Sequence, residues 1–205
     1  MVGIDVVHMN WHRESSPAYQ HRNYLERISS VAERRWVLDS GRPDAALWQL
    51  WAAKEATYKA LCSAAGAPVF RPAQISVHWQ SRPANSGEGH WDSRSARVSA
   101  AWTGSCAYAI AVRTCALPLA LEHAIFPVRE ILAIPHRRTA TSTEHSVAAR
   151  ELTAYLLKRI GVARAEITRT EGGRPYLADQ PNVSVSWSHD GDWVAAIAAI
   201  QGGSR

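Results

Sequence analysis

Helical periodicity occurs twice in this chain, and each time a strand and a two-strand hairpin follow it. Asp44 can cap the first helix, which is read to about Ala65, with Leu47, Leu50, Trp51, Tyr58 and Leu61 repeating at threes and fours. Gly66 and Pro68 stop it. A strand at 74–79 (QISVHW) and hairpin strands at 97–102 and 107–113, turning at Thr103-Gly104, come next. Ser142 or Thr143 can cap the second helix, which runs to about Ile160 and stops at Gly161; strands at 165–170, 182–187 and 193–200 follow. The two orders are collinear. AAKEATYKAL (52–61) aligns with AARELTAYLL (148–157), and VSAAWTGSCAYAIAV (98–112) with VSVSWSHDGDWVAAIAA (183–199). This predicts an α+β pseudodimer of two similar halves, each a long helix packed on a small antiparallel sheet. The expected halves are 1–115 and 142–205, with a connector over 116–141 that carries Pro118, Pro127 and Pro135. A cleft between such halves is a common seat for a ligand.

Outside the repeat, residues 2–7 (VGIDVV) read as a strand with Asp5 as its one charge. Residues 10–28 read as polar and irregular. Ser29 or Ser30 can cap a short helix to about Asp39, stopped by Gly41-Arg42-Pro43. Residues 80–95, rich in Ser, Gly, Pro and Asn, read as an exposed loop. The chain has 205 residues, 46% hydrophobic and 20% charged, which excludes disordered, collagen-like and coiled-coil classes. No apolar run approaches the ~18 residues of a membrane span. The start, Met-Val-Gly-Ile-Asp, has no basic residue ahead of an apolar stretch and is not read as a signal peptide. Cys62, Cys106 and Cys115 have no metal-like spacing, so reduced thiols and a cytoplasmic location are expected.

The net charge is +5, compatible with nucleic acid, an acidic protein or a polyphosphate as partner. Its make-up says more: three lysines stand against twenty arginines, and two of the three, Lys54 and Lys59, lie five residues apart. That points to a site where a compact ammonium is preferred to a planar guanidinium. Glu55 and Lys59 share a helix face, either as a surface ion pair of ~0.3–0.5 kcal/mol or as part of that site. Lys54 falls on the apolar seam, where a buried ammonium is costly unless an anion meets it. Asp5 is a solvent-facing aspartate or a hard-oxygen ligand. With Glu55 it would suit Mg²⁺, which takes one or two carboxylates plus phosphate oxygens and water. Ser188-His189-Asp190, at the last hairpin turn, cannot form a triad from adjacent side chains, but its donors can hold a phosphate. Gly172-Gly173-Arg174-Pro175-Tyr176 is a turn with an arginine suited to an anion. His8 and His12 lack a third ligand nearby and are not read as a metal site. The nine tryptophans read as core rather than as a base-stacking platform.

Together these pieces resemble the 4′-phosphopantetheinyl transferase superfamily. Its hallmarks, a Gly-x-Asp strand and a Lys-Glu-Ala…Lys helix, stand here as Gly3-Ile4-Asp5 and Trp51-Ala52-Ala53-Lys54-Glu55-Ala56-Thr57-Tyr58-Lys59, about fifty residues apart. Leu25–Val37 is similar to the segment before the Lys-Glu helix in the small holo-acyl-carrier-protein synthases. Arg150 on the second helix, Gly173-Arg174-Pro175-Tyr176 in place of Gly-Lys-Pro, and Ser186-Trp187-Ser188-His189 match the family's remaining elements. The resemblance covers about two thirds of the chain. In the large members the Gly-Lys-Pro and Ser-His half comes first; here the order is reversed, as in a circularly permuted pseudodimer. The third acid of the large type is replaced by Val7, as in the small synthases that work with two carboxylates. The second half has Arg150-Glu151 where the first has Lys54-Glu55, and no Gly-x-Asp, so a single site is expected.

The resemblance implies transfer of the phosphopantetheine arm of coenzyme A to a serine of an acyl or peptidyl carrier protein, releasing 3′,5′-ADP. It implies Asp5 and Glu55 as ligands of Mg²⁺ or Mn²⁺, and Lys54 and Lys59 as cations on the phosphates. The resemblance further implies that Glu55, or a water it orders, would take the serine proton, and that Arg174, Ser188 and His189 would hold the nucleotide phosphates. Coenzyme A and an acidic carrier are the expected partners of a monomer with no membrane and no nucleic-acid role. The alternative is a degenerate homologue that binds coenzyme A or a carrier without turnover, for which Val7 is the one support. A nucleic-acid-binding domain has no motif behind it: the arginines are scattered, with only Arg34-Arg35 and Arg137-Arg138 paired.

Overall fold

The computed structural model describes residues 1–10, 18–62, 69–80, 86–115, 118–133 and 140–202. Its first strand, β1 (Val2–His8), is followed by α1 (Ala18–Ile28), α2 (Val31–Leu38) and α3 (Pro43–Leu61). Then come β2 (Ile75–Trp79), β3 (Ser86–Trp91), β4 (Arg94–Thr103) and β5 (Cys106–Arg113). These five strands form one antiparallel sheet in the order β1-β5-β4-β3-β2. The chain continues through β6 (Pro118–Pro127), α4 (Val128–Leu132) and α5 (Ser142–Arg159). It closes with β7 (Ile167–Arg169), β8 (Pro175–Leu177), β9 (Val183–Asp190) and β10 (Trp193–Gln201). β6, β10 and β9 make a three-stranded sheet in that order, and β7 pairs with β8. The order β6-β10-β9 repeats β1-β5-β4. The matching helices also share a detail: Thr57 on α3 and Thr153 on α5 each bond back to the carbonyl four residues earlier at 2.7 Å.

Small side chains set how closely the layers meet. α3 lies on the five-stranded sheet through Ala52, Ala53, Ala56 and Ala60, all fully buried, against Ala107, Ala109 and Ala111 of β5. α5 covers the three-stranded sheet through Ala148, Ala149, Leu152 and Leu156. A third core joins the two sheets, with Val2, Ile4 and Val6 of β1 against Ala195, Ile197 and Ala199 of β10. The result is a helix–sheet–sheet–helix stack, an α+β fold as the helix and strand periodicities predict.

β1 is an edge strand, and unpaired edge amides need partners. Here side chains of β9 supply them. Val2 N–H donates to Ser184 Oγ at 3.1 Å, Ile4 N–H to Ser186 Oγ at 3.4 Å and His8 N–H to Asp190 Oδ2 at 2.7 Å. The polar alternation of β9 is thus a device for docking one sheet edge to the other.

Several local expectations are corrected. Residues 18–28, expected to be irregular, form α1, which buries Leu25 and Ile28 one turn apart. Part of the expected loop 80–95 is β3, paired on both sides. Its glycine signal reflects close approach rather than a turn, since a Cβ on Gly89 would fall 2.2 Å from Thr57 Oγ1. The expected connector 116–141 contains β6 and α4. Pro118 and Pro127 sit at the two ends of an edge strand, where a missing N–H is tolerated. The cap of α5 is Thr141, in a capping box with Glu144, rather than Ser142 or Thr143. β8 is a strand that the sequence reading lacks. The stop at Gly66-Pro68 and the segment His136-Arg137-Arg138 lie outside the described residues. None of the described helices is long and apolar enough to cross a membrane.

Candidate active site

Gly3 explains how the two motifs meet. A Cβ there would fall 2.1 Å from Ala56 O and 2.8 Å from Ala60 N, so only glycine lets β1 run directly beneath α3. Two residues on, Asp5 points the same way, into the turn of α3 that carries Glu55 and Lys59. Lys59 Nζ lies 2.9 Å from Asp5 Oδ1 and 3.0 Å from Glu55 Oε1, and donates to Ile4 O at 3.0 Å. From β9, Ser188 Oγ donates to the same Asp5 oxygen at 2.5 Å. Two acids some fifty residues apart in the chain therefore converge on one cation, at the seam where β1 meets β9.

The electrostatics follow from burial. Asp5 is 2% exposed, and burial pushes its carboxyl up to about 7 against the opposing pull of Lys59, with Glu55 adding to the rise. Burial works against the charge of Lys59, but Asp5 and Glu55 outweigh it and hold the ammonium above its ordinary value. Tyr24, on α1, has its ring 5.3 Å from that of Trp51. Its hydroxyl is pushed upward by burial and then by Glu55 and Asp5.

The other residues singled out in the sequence divide. Arg174, in the turn between β7 and β8, reaches across to the C-terminal carbonyls of α3. Its Nη2 donates to Lys59 O at 2.5 Å and its Nη1 to Cys62 O. A cation is favoured there by the orphan carbonyls and the helix dipole. Beside it a cavity of about 210 Å³ opens between α3, the β7–β8 turn and β9, lined by Tyr58, Lys59, Arg174, Gly173 and Trp187 among others. His189 lies on the opposite face of β9 from Ser188, as strand alternation requires, and stacks on His145. Ser188 serves Asp5, so the expected phosphate contact through its hydroxyl is corrected to a carboxylate contact.

Lys54 is not part of this group. Its seam position is as read from the periodicity, but the anion that meets it is Glu33 of α2, at 2.9 Å. Its remaining donors go to Pro72 O and Ile75 O, and it is fully buried. With every N–H committed, the expected phosphate role of Lys54 is replaced by a structural one. Glu33 is fully used as well, accepting from Val77 N–H at 2.8 Å and Ser30 N–H at 2.7 Å. The sequence reading missed Glu33, although Ser30-x-x-Glu33 is a capping-box pattern. It also missed Tyr24, hidden in a stretch read as irregular.

Among the described residues no group of three His, Cys, Asp or Glu could hold a metal ion. Two carboxylates that already share one cation are a different case. They fit Mg²⁺, whose remaining positions are ordinarily filled by water and substrate phosphate. Among the described residues His8 Nδ1 is buried without a partner, and His12 lies outside them.

A family model described as the 4′-phosphopantetheinyl transferase superfamily matches residues 1–112. Among solved structures, the chain is similar to the Helicobacter pylori holo-acyl-carrier-protein synthase in complex with coenzyme A. The identity is 20%, over 56% of this chain and 100% of that one, with a TM-score of 0.44. No curated protein matches. The matched residues include both Gly3-Ile4-Asp5 and the Lys54–Lys59 turn of α3, and they span more than half of the sequence: this chain belongs to the 4′-phosphopantetheinyl transferase superfamily.

Proposed function

We propose that the protein transfers the 4′-phosphopantetheine arm of coenzyme A to a serine hydroxyl of an apo acyl or peptidyl carrier protein, releasing 3′,5′-ADP. The observation that carries this reading is the convergence of Asp5 and Glu55 on Lys59 beside the cavity between the halves. Phosphoryl transfer asks mainly for positioning and charge neutralisation, with one base for the attacking alcohol.

Each part has a candidate. Glu55, 27% exposed and one helical turn from Lys59, is the carboxylate open to an incoming serine and takes its proton. The serine oxygen bonds to the phosphorus that bears pantetheine. The bond from that phosphorus to the bridging oxygen breaks, and the electron pair leaves on 3′,5′-ADP. Lys59 faces the charge that builds on the departing phosphate. Arg174 borders the same cavity and offers its unused N–H groups to the nucleotide phosphates, with His189 on the far side of β9. Asp5 and Glu55 would hold Mg²⁺, which when bound neutralises the pyrophosphate. Ser188 keeps the Asp5 oxygen oriented.

The pseudodimer belongs to the same proposal. It is supported by the repeated strand order and by Thr57 and Thr153 at matching helix positions. The basic balance suits coenzyme A and an acidic carrier, and the reaction suits a cytoplasmic monomer.

The test is mass spectrometry of an apo carrier incubated with protein, Mg²⁺ and coenzyme A. A mass gain of one phosphopantetheine arm, with 3′,5′-ADP released, is the expected result. Binding of coenzyme A or carrier without that gain would instead identify a homologue that has lost turnover.

A further inference from the structure

Two exposed surfaces take no part in the candidate active site, and each carries what the other lacks. The first is a groove of about 530 Å³ between α4, α5 and the end of β6. Phe126, Val147 and Tyr155 stand exposed along it, and the buried Leu152 also lines it. Among the described residues of its lining, the only charges are the carboxylates of Glu130 and Glu151. The second surface is the outer face of α2. The inner face of that helix is committed, with Glu33 paired to Lys54 and Val37 buried. On the opposite face, Val31, Arg35 and Leu38 follow one another at the spacing of successive helical turns. Val31 is 78% exposed and Leu38 61%. Arg35 Nε lies 3.5 Å from Asp39 Oδ2, in a pair open to water that another acid can replace at little cost. Two apolar anchors seven residues apart are the pattern by which a groove takes up a helix.

The charges select which surfaces meet. Groove against groove would bring four carboxylates together, and stripe against stripe would oppose two arginines; like charges across an interface are costly. Stripe against groove sets Arg35 before Glu130 and Glu151, and Val31 and Leu38 against Phe126, Val147 and Tyr155. The same two acids repel an acidic carrier, the protein substrate proposed above. We propose that the α4–α5 groove of one copy of this chain receives the α2 stripe of a second copy, with Val31 and Leu38 as anchors and Arg35 paired to the groove carboxylates. The two faces differ, so the contact is head-to-tail. A pair of copies still presents one groove and one stripe, and association runs on to a ring or an open chain. The transfer reaction proposed above is completed within one chain, so the monomer remains its working unit and the contact stands apart from it.

Sedimentation over a range of concentrations tests this. Wild-type protein should form species larger than a dimer by about 1 mM, as suits a contact well below the standard interface size. Leu38→Asp removes the stripe and Val147→Asp the groove; each variant alone should stay monomeric. Mixed in equal amounts, the two should form a one-to-one dimer and nothing larger, because each keeps one intact face. Arg35→Glu, a change at the surface, should weaken the association about tenfold. Adding Glu151→Arg to it should recover most of the loss, and this pair decides the matter if Val147→Asp does not fold. Wild-type protein that stays monomeric to about 1 mM, a Leu38→Asp variant that still associates, or a mixture that forms no dimer overturns the inference. Transfer should stay near wild type in Leu38→Asp and Val147→Asp. A folded Val147→Asp variant that no longer modifies the carrier would assign the groove to the carrier and overturn the inference as well. Sedimentation does not depend on turnover, so a protein without transfer activity leaves this test unchanged.

Discussion

At the scale of single residues, the two lysines that the sequence sets apart turn out to do opposite things. Lys59 is held between Asp5 and Glu55 at the cavity, whereas Lys54 is sealed against Glu33. Asp5→Asn and Glu55→Gln should each lower transfer by at least ~100-fold, the order of loss for one charge-stabilising group. Asp5→Asn should keep the fold because burial already opposes the Asp5 charge, and Glu55→Gln because that side chain is partly exposed. Activity retained in either one removes it from the proposed metal pair. Lys59→Ala should lower kcat more than it weakens coenzyme A binding, checked by pairing steady-state rates with calorimetry; a loss confined to affinity would reassign it to ground-state binding. Lys54 predicts a different signature. Removing one partner of a buried ion pair costs about 3–5 kcal/mol, so Lys54→Met and Glu33→Gln should each lower the urea midpoint. The double variant should lose less than the two singles together, and transfer per folded molecule should stay near wild type. Periodicity could place Lys54 on the buried seam of its helix, but not name the acid waiting there. Glu33 lies on another helix, and only packing brings it within reach.

At the scale of elements, the approach of β1 to α3 is the geometry on which the site depends. Gly3→Ala sets a Cβ 2.1 Å from the Ala56 carbonyl oxygen, which is backbone and cannot step aside. The helix must lift from the strand, and overpacking of this kind costs about 1–3 kcal/mol or more. Transfer should fall by at least ~10-fold beyond the unfolded fraction, since a shift of about 1 Å at a reacting site is enough for such losses. Full activity with lowered stability would show that the distance between strand and helix is not what matters. The long periodic elements, α3, α5 and the hairpin strands, were legible in the sequence because each buries a regular face. β3, β6 and α1 were not. Gly87 and Gly89 mimic a loop, Pro118 and Pro127 mimic a linker, and α1 has only a short apolar stripe. In the two strands a residue that usually interrupts structure is tolerated for a tertiary reason.

At the scale of the whole molecule, neither sheet with its helix completes the site. Asp5, Glu55 and Lys59 come from β1 and α3, while Ser188 and Arg174 come from β9 and the β7–β8 turn. The apolar face of Val2, Ile4 and Val6 is covered only when the β10 sheet lies on it. A chain ended after Cys115 should therefore be inactive and prone to aggregate, and co-expression with residues 116–205 should restore transfer; a first half active by itself would contradict this arrangement. On α5 the positions that align with Glu55 and Lys59 hold Glu151 and Tyr155, which line an apolar cleft with Phe126 and Leu152. The sequence by itself determined the two long helices, the hairpin strands, the family motifs and the acids Asp5 and Glu55, because periodicity and residue chemistry are local properties. Tertiary structure alone decided which lysine faces the acids, that Ser188 serves a carboxylate, and that His189 rests on His145. Those outcomes depend on which face of one element meets which face of another, and no local pattern records that choice.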